Sequence, residues 1–363
     1  MKNKVISDKQ AILLIAVYLI GESSILVMGL EAKKDLWIAI IIGIFIACLL
    51  MIVYSRLHYL FPGKNLFDII EVCCGPFIGK GIILLFTIYM FDLSAIVLRD
   101  FGNFISTVSL DETPILIPMI VETLLVVFLV KNGVELAGKW AEFFFPILVF
   151  FILIIVLLLI PTMDINNIRP VLYNGIKPSI KGAFAVFSIP LAEIIAFTMV
   201  FSNFKTKKSS YKIYFLGLLI GGMLIFIISL TNILVLGVDL TSVLYFPSYN
   251  TTTRLNIGGA FQRLEVISAV VFVLGGFIKI SILLLSACKG ITKIFGYTDY
   301  RFIVIPFALL MINLSYFEFD SVTYYREWNM DIYPYYALPF QVILPIIILI
   351  IAEIKKKQLL NIK

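Results

Sequence analysis

Histidine and charge are what this chain has least of. One histidine, His58, stands among 363 residues, and only 14% of them are charged. A lone imidazole cannot anchor a zinc site or serve a Ser-His-Asp triad. The four cysteines, Cys48, Cys73, Cys74 and Cys288, show no CxxC and no metal spacing. The adjacent pair Cys73-Cys74 reads as small apolar filler rather than a redox device. The stretch Gly75-Pro76-Phe77-Ile78-Gly79-Lys80-Gly81 is one residue too short for a phosphate loop and lacks the following Ser or Thr. These absences argue against an enzyme, a metal centre and a bound cofactor.

What remains is apolar. The composition is 61% hydrophobic with a mean hydropathy of +1.04, more apolar surface than a soluble core can hide, so lipid must be the solvent for most of it. The first apolar segment runs too long for a signal peptide and lacks a small-residue cleavage site, so it reads as a retained span. A bilayer needs roughly 20 apolar residues per helix. Ten segments qualify: 11–30, 36–57, 78–104, 114–130, 140–160, 183–203, 213–237, 264–288, 301–316 and 334–352. They form a single polytopic domain over 1–363. Phe61-Pro62-Gly63, Thr113-Pro114, Ile160-Pro161 and Phe246-Pro247 punctuate them. Residues 64–75 alternate apolar and charged positions and suit a short interfacial helix. Residues 238–262 form a long polar and aromatic connection able to dip back over the protein.

Basic residues set the orientation. Most of the 29 Lys and Arg fall in loops on the side of the N-terminus. The opposite side holds Lys33, Lys34, Arg169, Lys177, Lys181, Arg254, Arg263 and Arg326. This bias places both termini in the cytoplasm. The net charge of +6 therefore reports membrane topology, not nucleic-acid binding.

Two spans carry residues that a plain lipid anchor has no reason to hold. Span one contains Gly21-Glu22-Ser23-Ser24, and span six contains Phe187-Ser188-Ile189-Pro190-Leu191-Ala192-Glu193. Ten spans divide five plus five near residue 175, which makes spans one and six equivalent members of inverted halves, about 1–175 and 176–363. Unwinding a turn frees backbone groups that lipid cannot satisfy. The N-terminus of a downstream half-helix attracts an anion, and the carbonyls ending the upstream half attract a cation, a pair that suits an amino acid zwitterion. Gly21 serves either close packing or unwinding, and Pro190 either a kink or a functional break. Glu22 and Glu193 are costly at mid-bilayer and are functional by default, the alternative being a structural hydrogen bond from a protonated carboxyl. Asp92, Arg99 and Asp100 in span three, Glu122 in span four and Lys279 in span eight are further intruders. Arg99 and Asp100 lie near the outer end, within reach of snorkelling. Lys279 is either a counter-ion to Glu193 or a snorkelling lysine.

The succession Phe246-Pro247-Ser248-Tyr249, Arg254, Gly258-Gly259-Ala260-Phe261-Gln262-Arg263-Leu264-Glu265 and Gly275-Gly276-Phe277-Ile278-Lys279-Ile280-Ser281 resembles the B subunits of spore germination receptors. These form a branch of the amino acid–polyamine–organocation superfamily. The stretch from Phe187 to Glu193 with Thr198-Met199 is similar to that family's sixth helix, and Gln10, Gly21 and Ser23-Ser24 fit its first. The resemblance covers nearly the whole chain. It implies an all-α, LeuT-like fold of ten transmembrane helices with helices one and six broken, lying in the inner membrane of a dormant spore. It also implies a small-molecule germinant, often an amino acid, and A- and C-type receptor subunits as partners. The implied pocket lies between helices one, three, six and eight. Its candidate ligand-binding residues are Gly21, Glu22, Ser23, Ser24, Tyr89, Asp92, Phe187, Ser188, Pro190, Glu193 and Lys279. Helix five, Trp140 to Ile160, departs by lacking the central lysine that some proton-coupled relatives use. A proton-coupled amino acid permease with Glu22 or Glu193 as proton carrier is the competing expectation.

Overall fold

A backbone surrounded by hydrocarbon must satisfy its own polar groups, and helices do so within one segment. In a computed structural model, which describes residues 6–109, 112–255, 264–319 and 321–361, the chain is helical throughout its apolar segments. Its helices are α1 (Asp8–Ser23), α2 (Leu36–Leu60), α3 (Leu66–Val108), α4 (Leu116–Asn132), α5 (Val134–Leu159), α6 (Ile176–Ser188) and α7 (Ile195–Val200). They continue with α8 (Ser209–Val243), α9 (Pro247–Thr252), α10 (Glu265–Phe295), α11 (Val304–Phe317), α12 (Val322–Glu327), α13 (Tyr333–Leu338) and α14 (Leu344–Asn361). Seven helical stretches among the described residues are long and apolar enough to cross a bilayer. The chain is thus an all-helical, multi-pass membrane protein. The expected spans one, four and nine correspond to α1, α4 and α11, which at 16, 17 and 14 residues are shorter than that length.

Span one, expected over 11–30, departs most. The helix ends at Ser23, and turns follow in place of a downstream half-helix. Hydroxyls explain the stop: Ser23 donates to the Leu19 carbonyl at 2.9 Å and Ser24 to that of Gly21 at 2.7 Å. The amides of Ile25 and Leu26 both turn back to the Glu22 carbonyl, at 3.3 and 3.2 Å. The freed Ile25 carbonyl accepts from the Ser248 amide of α9 at 3.3 Å, and the Met28 amide donates to Ser229 Oγ of α8 at 3.3 Å. The unwound turn is therefore satisfied by protein, as hydrocarbon requires. Span six breaks where expected: α6 stops at Ser188, a 3-10 turn follows at Leu191–Ile194, and α7 resumes.

Elsewhere the outlines shift modestly. The amphipathic stretch and span three form one element, α3, bent at Gly75 (φ 78°) ahead of Pro76. The connection 238–262 contains the last turn of α8 and the short α9. Residues 256–263, including the Gly258–Arg263 part of the family motif and the basic residue Arg263, lie outside the described residues. Span ten is preceded by α12, and π-helical turns at Trp328–Ile332 and Pro339–Ile343 interrupt the run from α12 to α14.

The core is assembled around α1, which packs against α5, α8 and α10. Its crossing with α10 is nearly backbone on backbone. A Cβ on Gly21 would lie 2.9 Å from the carbonyl carbon and oxygen of Gly275, and one on Gly275 would lie 2.6 Å from the Gly21 Cα. Packing is therefore the role of Gly21, and the pair sets the register that brings Glu22 beside Lys279, one turn beyond Gly275. Overpacking typically costs about 1–3 kcal/mol. Gly275→Val is expected to lower the melting temperature of the purified protein by several degrees or to abolish its accumulation; an unchanged melting curve would refute this register.

Candidate functional site

The two helix breaks meet on a single lysine. Lys279 rises from the middle of α10 and is 0% exposed, while Glu22 and Glu193 are 3% and 1% exposed. Its ammonium lies 2.7 Å from Glu193 Oε2 and also pairs with Glu22 Oε2. It sits 5.6 Å from the centre of the Tyr18 ring, whose hydroxyl donates to the Glu193 carbonyl at 3.4 Å. Of the two readings open for Lys279, the counter-ion holds, and its partners are both glutamates. Isolated charges at this depth cost several kcal/mol each, and mutual pairing offsets that.

From Glu193 a chain of uncharged groups extends toward α13 and α14. Tyr333 donates to Glu193 Oε1 at 2.8 Å, and the Tyr89 hydroxyl lies 3.0 Å from that of Tyr333. Gln341 Nε2 donates to Tyr89 at 2.9 Å and to the Ser188 carbonyl at 2.9 Å. The Tyr54 hydroxyl donates to the Gln341 carbonyl at 2.7 Å. The bonds run from Gln341 through Tyr89 and Tyr333 to Glu193, the final acceptor, an arrangement in which each bond polarises the next.

From Glu22 the polar path turns the other way. Asp100 of α3 lies beside Glu22 and is itself buried. Tyr325 donates to Asp100 Oδ2 at 2.5 Å, and Asn329 Nδ2 donates to the Tyr325 hydroxyl at 2.8 Å. Asp100 therefore does not snorkel, as its place near the outer end of span three allowed; it belongs to the site. Arg99 points away, and its guanidinium donates to the Ser315 and Tyr316 carbonyls at the end of α11. Glu22, Asp100, Tyr325, Arg326 and Asn329 border a cavity of about 120 Å³.

The other expected site residues sit at varying removes from this centre. Ser23 and Ser24 spend their hydroxyls within α1, and Phe187 is buried in the hydrophobic core. Ser188 contributes its carbonyl, and the Pro190 carbonyl accepts from the Glu193 amide at 3.2 Å. Asp92 is not brought to the cluster. It interacts with Tyr336 and with Glu318, just past α11. Burial and the neighbouring Asp92 carboxylate push the Glu318 carboxyl up to about 8. Glu122 is buried in α4, apart from both groups. Sequence reasoning missed Tyr18, Tyr54, Tyr325, Tyr333 and Gln341. Gln341 was detectable, being the one amide between Pro334 and Ala352 in an otherwise apolar and aromatic run. The tyrosines carry no such signal in a chain with 17 of them.

The ion triad is asymmetric in what each member leaves behind. Removing the lysine strands two buried carboxylates, whereas removing Glu193 leaves Lys279 with Glu22. Breaking a buried pair costs about 3–5 kcal/mol. Lys279→Met is therefore expected to lower the melting temperature of the purified protein well below that of Glu193→Gln. Equal losses would show that the two glutamates do not share the lysine.

Comparison with known proteins places this chain in a family. The Spore_permease family, described as "Spore germination protein", matches residues 5–321. Spore germination protein KB of Bacillus subtilis is 27% identical over 362 residues, covering 99% of this chain and 97% of that protein. Spore germination protein A2 of the same organism is 25% identical over 329 residues, covering 89% and 87%. Among solved structures, the nucleobase-cation-symport-1 family transporter Mhp1, closed around bromovinylhydantoin, superposes with a TM-score of 0.66 at 16% identity, over 94% of this chain and 78% of its own. The manganese transporter of Eremococcus coleocola bound to an aromatic bis-isothiourea compound gives 0.61 at 13% identity, over 93% and 77%. Those likenesses show the fold, a LeuT-like transporter fold, and the family is not one of enzymes. The chain belongs to the Spore_permease family of spore germination proteins.

Proposed function

We propose that this chain is the nutrient-sensing subunit of a germination receptor, with a small zwitterion such as an amino acid as its ligand. The observation that carries the reading is the cavity against Glu22 and Asp100. Of three buried carboxyls, Glu22 and Glu193 hold the one ammonium of Lys279, and the third, Asp100, lies beside Glu22 with the Tyr325 hydroxyl donated to it. A ligand ammonium entering the cavity supplies positive charge where the protein is short of it. Arg326 and Asn329, also on its lining, offer a guanidinium and an amide to a carboxylate. Binding triggers a response only by favouring one conformation over another. The break after Ser23 and the break at Ser188–Pro190 are the segments whose geometry such a ligand biases.

In this reading the apolar helices make ten crossings arranged as two inverted halves of five, α1 opening the first and α6–α7 the second. Both termini face the cytoplasm of the spore, below its inner membrane, and A- and C-type subunits complete the receptor. On the side assigned most of the Lys and Arg, Lys9 near the start of α1, Arg56 near the end of α2 and Lys293 near the end of α10 pair with Glu142, Glu353 and Asp68 at 2.8, 2.6 and 2.8 Å. That density of basic residues supports the orientation. An alkaline phosphatase fused to the C-terminus should be inactive in cells; full activity would invert the topology.

Amino acids, sugars and nucleosides can be screened for thermal stabilisation of the purified protein, since a ligand of the folded state raises its stability. At least one amino acid is expected to raise the melting temperature. Glu22→Gln and Asp100→Asn should each weaken that ligand tenfold or more, as expected when a charged hydrogen bond worth about 1.5–3 kcal/mol is lost. Spores carrying these variants should need correspondingly more nutrient while still responding to other triggers. If no nutrient stabilises the protein, or if both variants respond like the parent, the cavity is not the sensor. Concentrative uptake by the chain alone in liposomes would instead establish a permease.

A further inference from the structure

Lys279 does more than neutralise its neighbours. Its ammonium is held by one carboxylate from each helix break, Glu22 and Glu193, with the Tyr18 ring against it. This is the acceptor set with which proteins hold a free alkylammonium: anionic oxygens on two sides and an aromatic ring on a third. We propose that the two breaks form a binding site for a primary ammonium, and that Lys279 is its tethered occupant.

The consequences are chemical. The tether keeps the local concentration of this ammonium far above that of any free amine, so the resting protein fills the site itself. A nutrient ammonium arriving through the cavity meets Glu22 first, because Glu22 borders that cavity and Glu193 does not. By taking Glu22 it leaves Lys279 with Glu193 alone, which removes the ionic link between α1 and the α6–α7 break and leaves the Tyr18 hydroxyl on the Glu193 carbonyl. That exchange rests on the nutrient reading given above. The ammonium site itself does not, and it can be tested without any germinant.

Truncation at Cβ in Lys279→Ala removes the atoms of a propylammonium ion. The full-length purified Lys279→Ala protein is expected to melt below the parent, and n-propylammonium chloride to restore roughly 2–5 °C of the loss in a saturable manner. The parent, and the double variant Lys279→Ala/Glu193→Gln, should show no such gain. Tetramethylammonium and sodium chloride at equal ionic strength should also do nothing. Equal stabilisation of parent and variant, or stabilisation by sodium or tetramethylammonium as strong as by propylammonium, would overturn the proposal. Should Lys279→Ala not accumulate, the triple variant Glu22→Gln/Glu193→Gln/Lys279→Met decides. With both anions removed it needs no cation and is expected to fold, whereas its failure to fold would make the ammonium a structural donor and overturn the proposal. Rescue by propylammonium together with an absence of any nutrient response would retain this site and reject the nutrient reading.

Discussion

Two glutamates on one lysine, at the depth where a membrane protein can least tolerate unpaired charge, are the constraint around which the rest of this structure is arranged. None of the three can be buried alone without a cost of several kcal/mol. Their pairing therefore fixes the relative placement of α1, α10 and the α6–α7 break more tightly than apolar packing could, because apolar side chains gain little from one another over lipid. The Gly21–Gly275 contact makes the pairing possible. Only with both Cβ atoms absent do α1 and α10 approach closely enough to put Glu22 on Lys279. Beyond Ser23 the unwound backbone is met by the Ser229 hydroxyl and the Ser248 amide.

The polar network divides into two unlike branches. Toward Tyr333, Tyr89 and Gln341 it is neutral, fully buried and linked donor to acceptor. Toward Asp100, Tyr325 and Asn329 it is acidic and borders the cavity. A neutral, buried branch on one side and an acidic one that borders the cavity on the other is the asymmetry on which the proposed sensing role rests. The chain belongs to a family of spore germination proteins and has a transporter fold, and sensing rather than carriage is the reading proposed for it.

Much of this was legible in the residues. Charges inside apolar runs stand out in any sequence, so Glu22, Glu193 and Lys279 could be named, and the break at Ser188–Pro190 followed from a proline beside a hydroxyl. The length of helix one was not legible, because the tendency of Ser23 and Ser24 to bond back along the helix competes with the apolar run that follows. Asp100 looked like an interfacial charge, since sequence gives depth along a helix but not the face it shares with Glu22. Asp92, equally conspicuous, turned out to face Tyr336 and Glu318 for the same reason. Apart from Tyr89, the tyrosines were invisible: nothing in a tyrosine-rich membrane chain distinguishes a hydroxyl that reaches Glu193 from one that anchors at an interface.

The central claim is that nutrient is detected at the acidic wall of this cavity, within this chain. The most direct measurement is a cryo-electron-microscopy structure of the receptor with its nutrient bound. The expected result is density for the nutrient between Glu22, Asp100 and Arg326, with α1 displaced at the turn after Ser23. Nutrient density in a partner subunit, with this cavity empty and the Glu22–Lys279–Glu193 bridge unchanged, would contradict it.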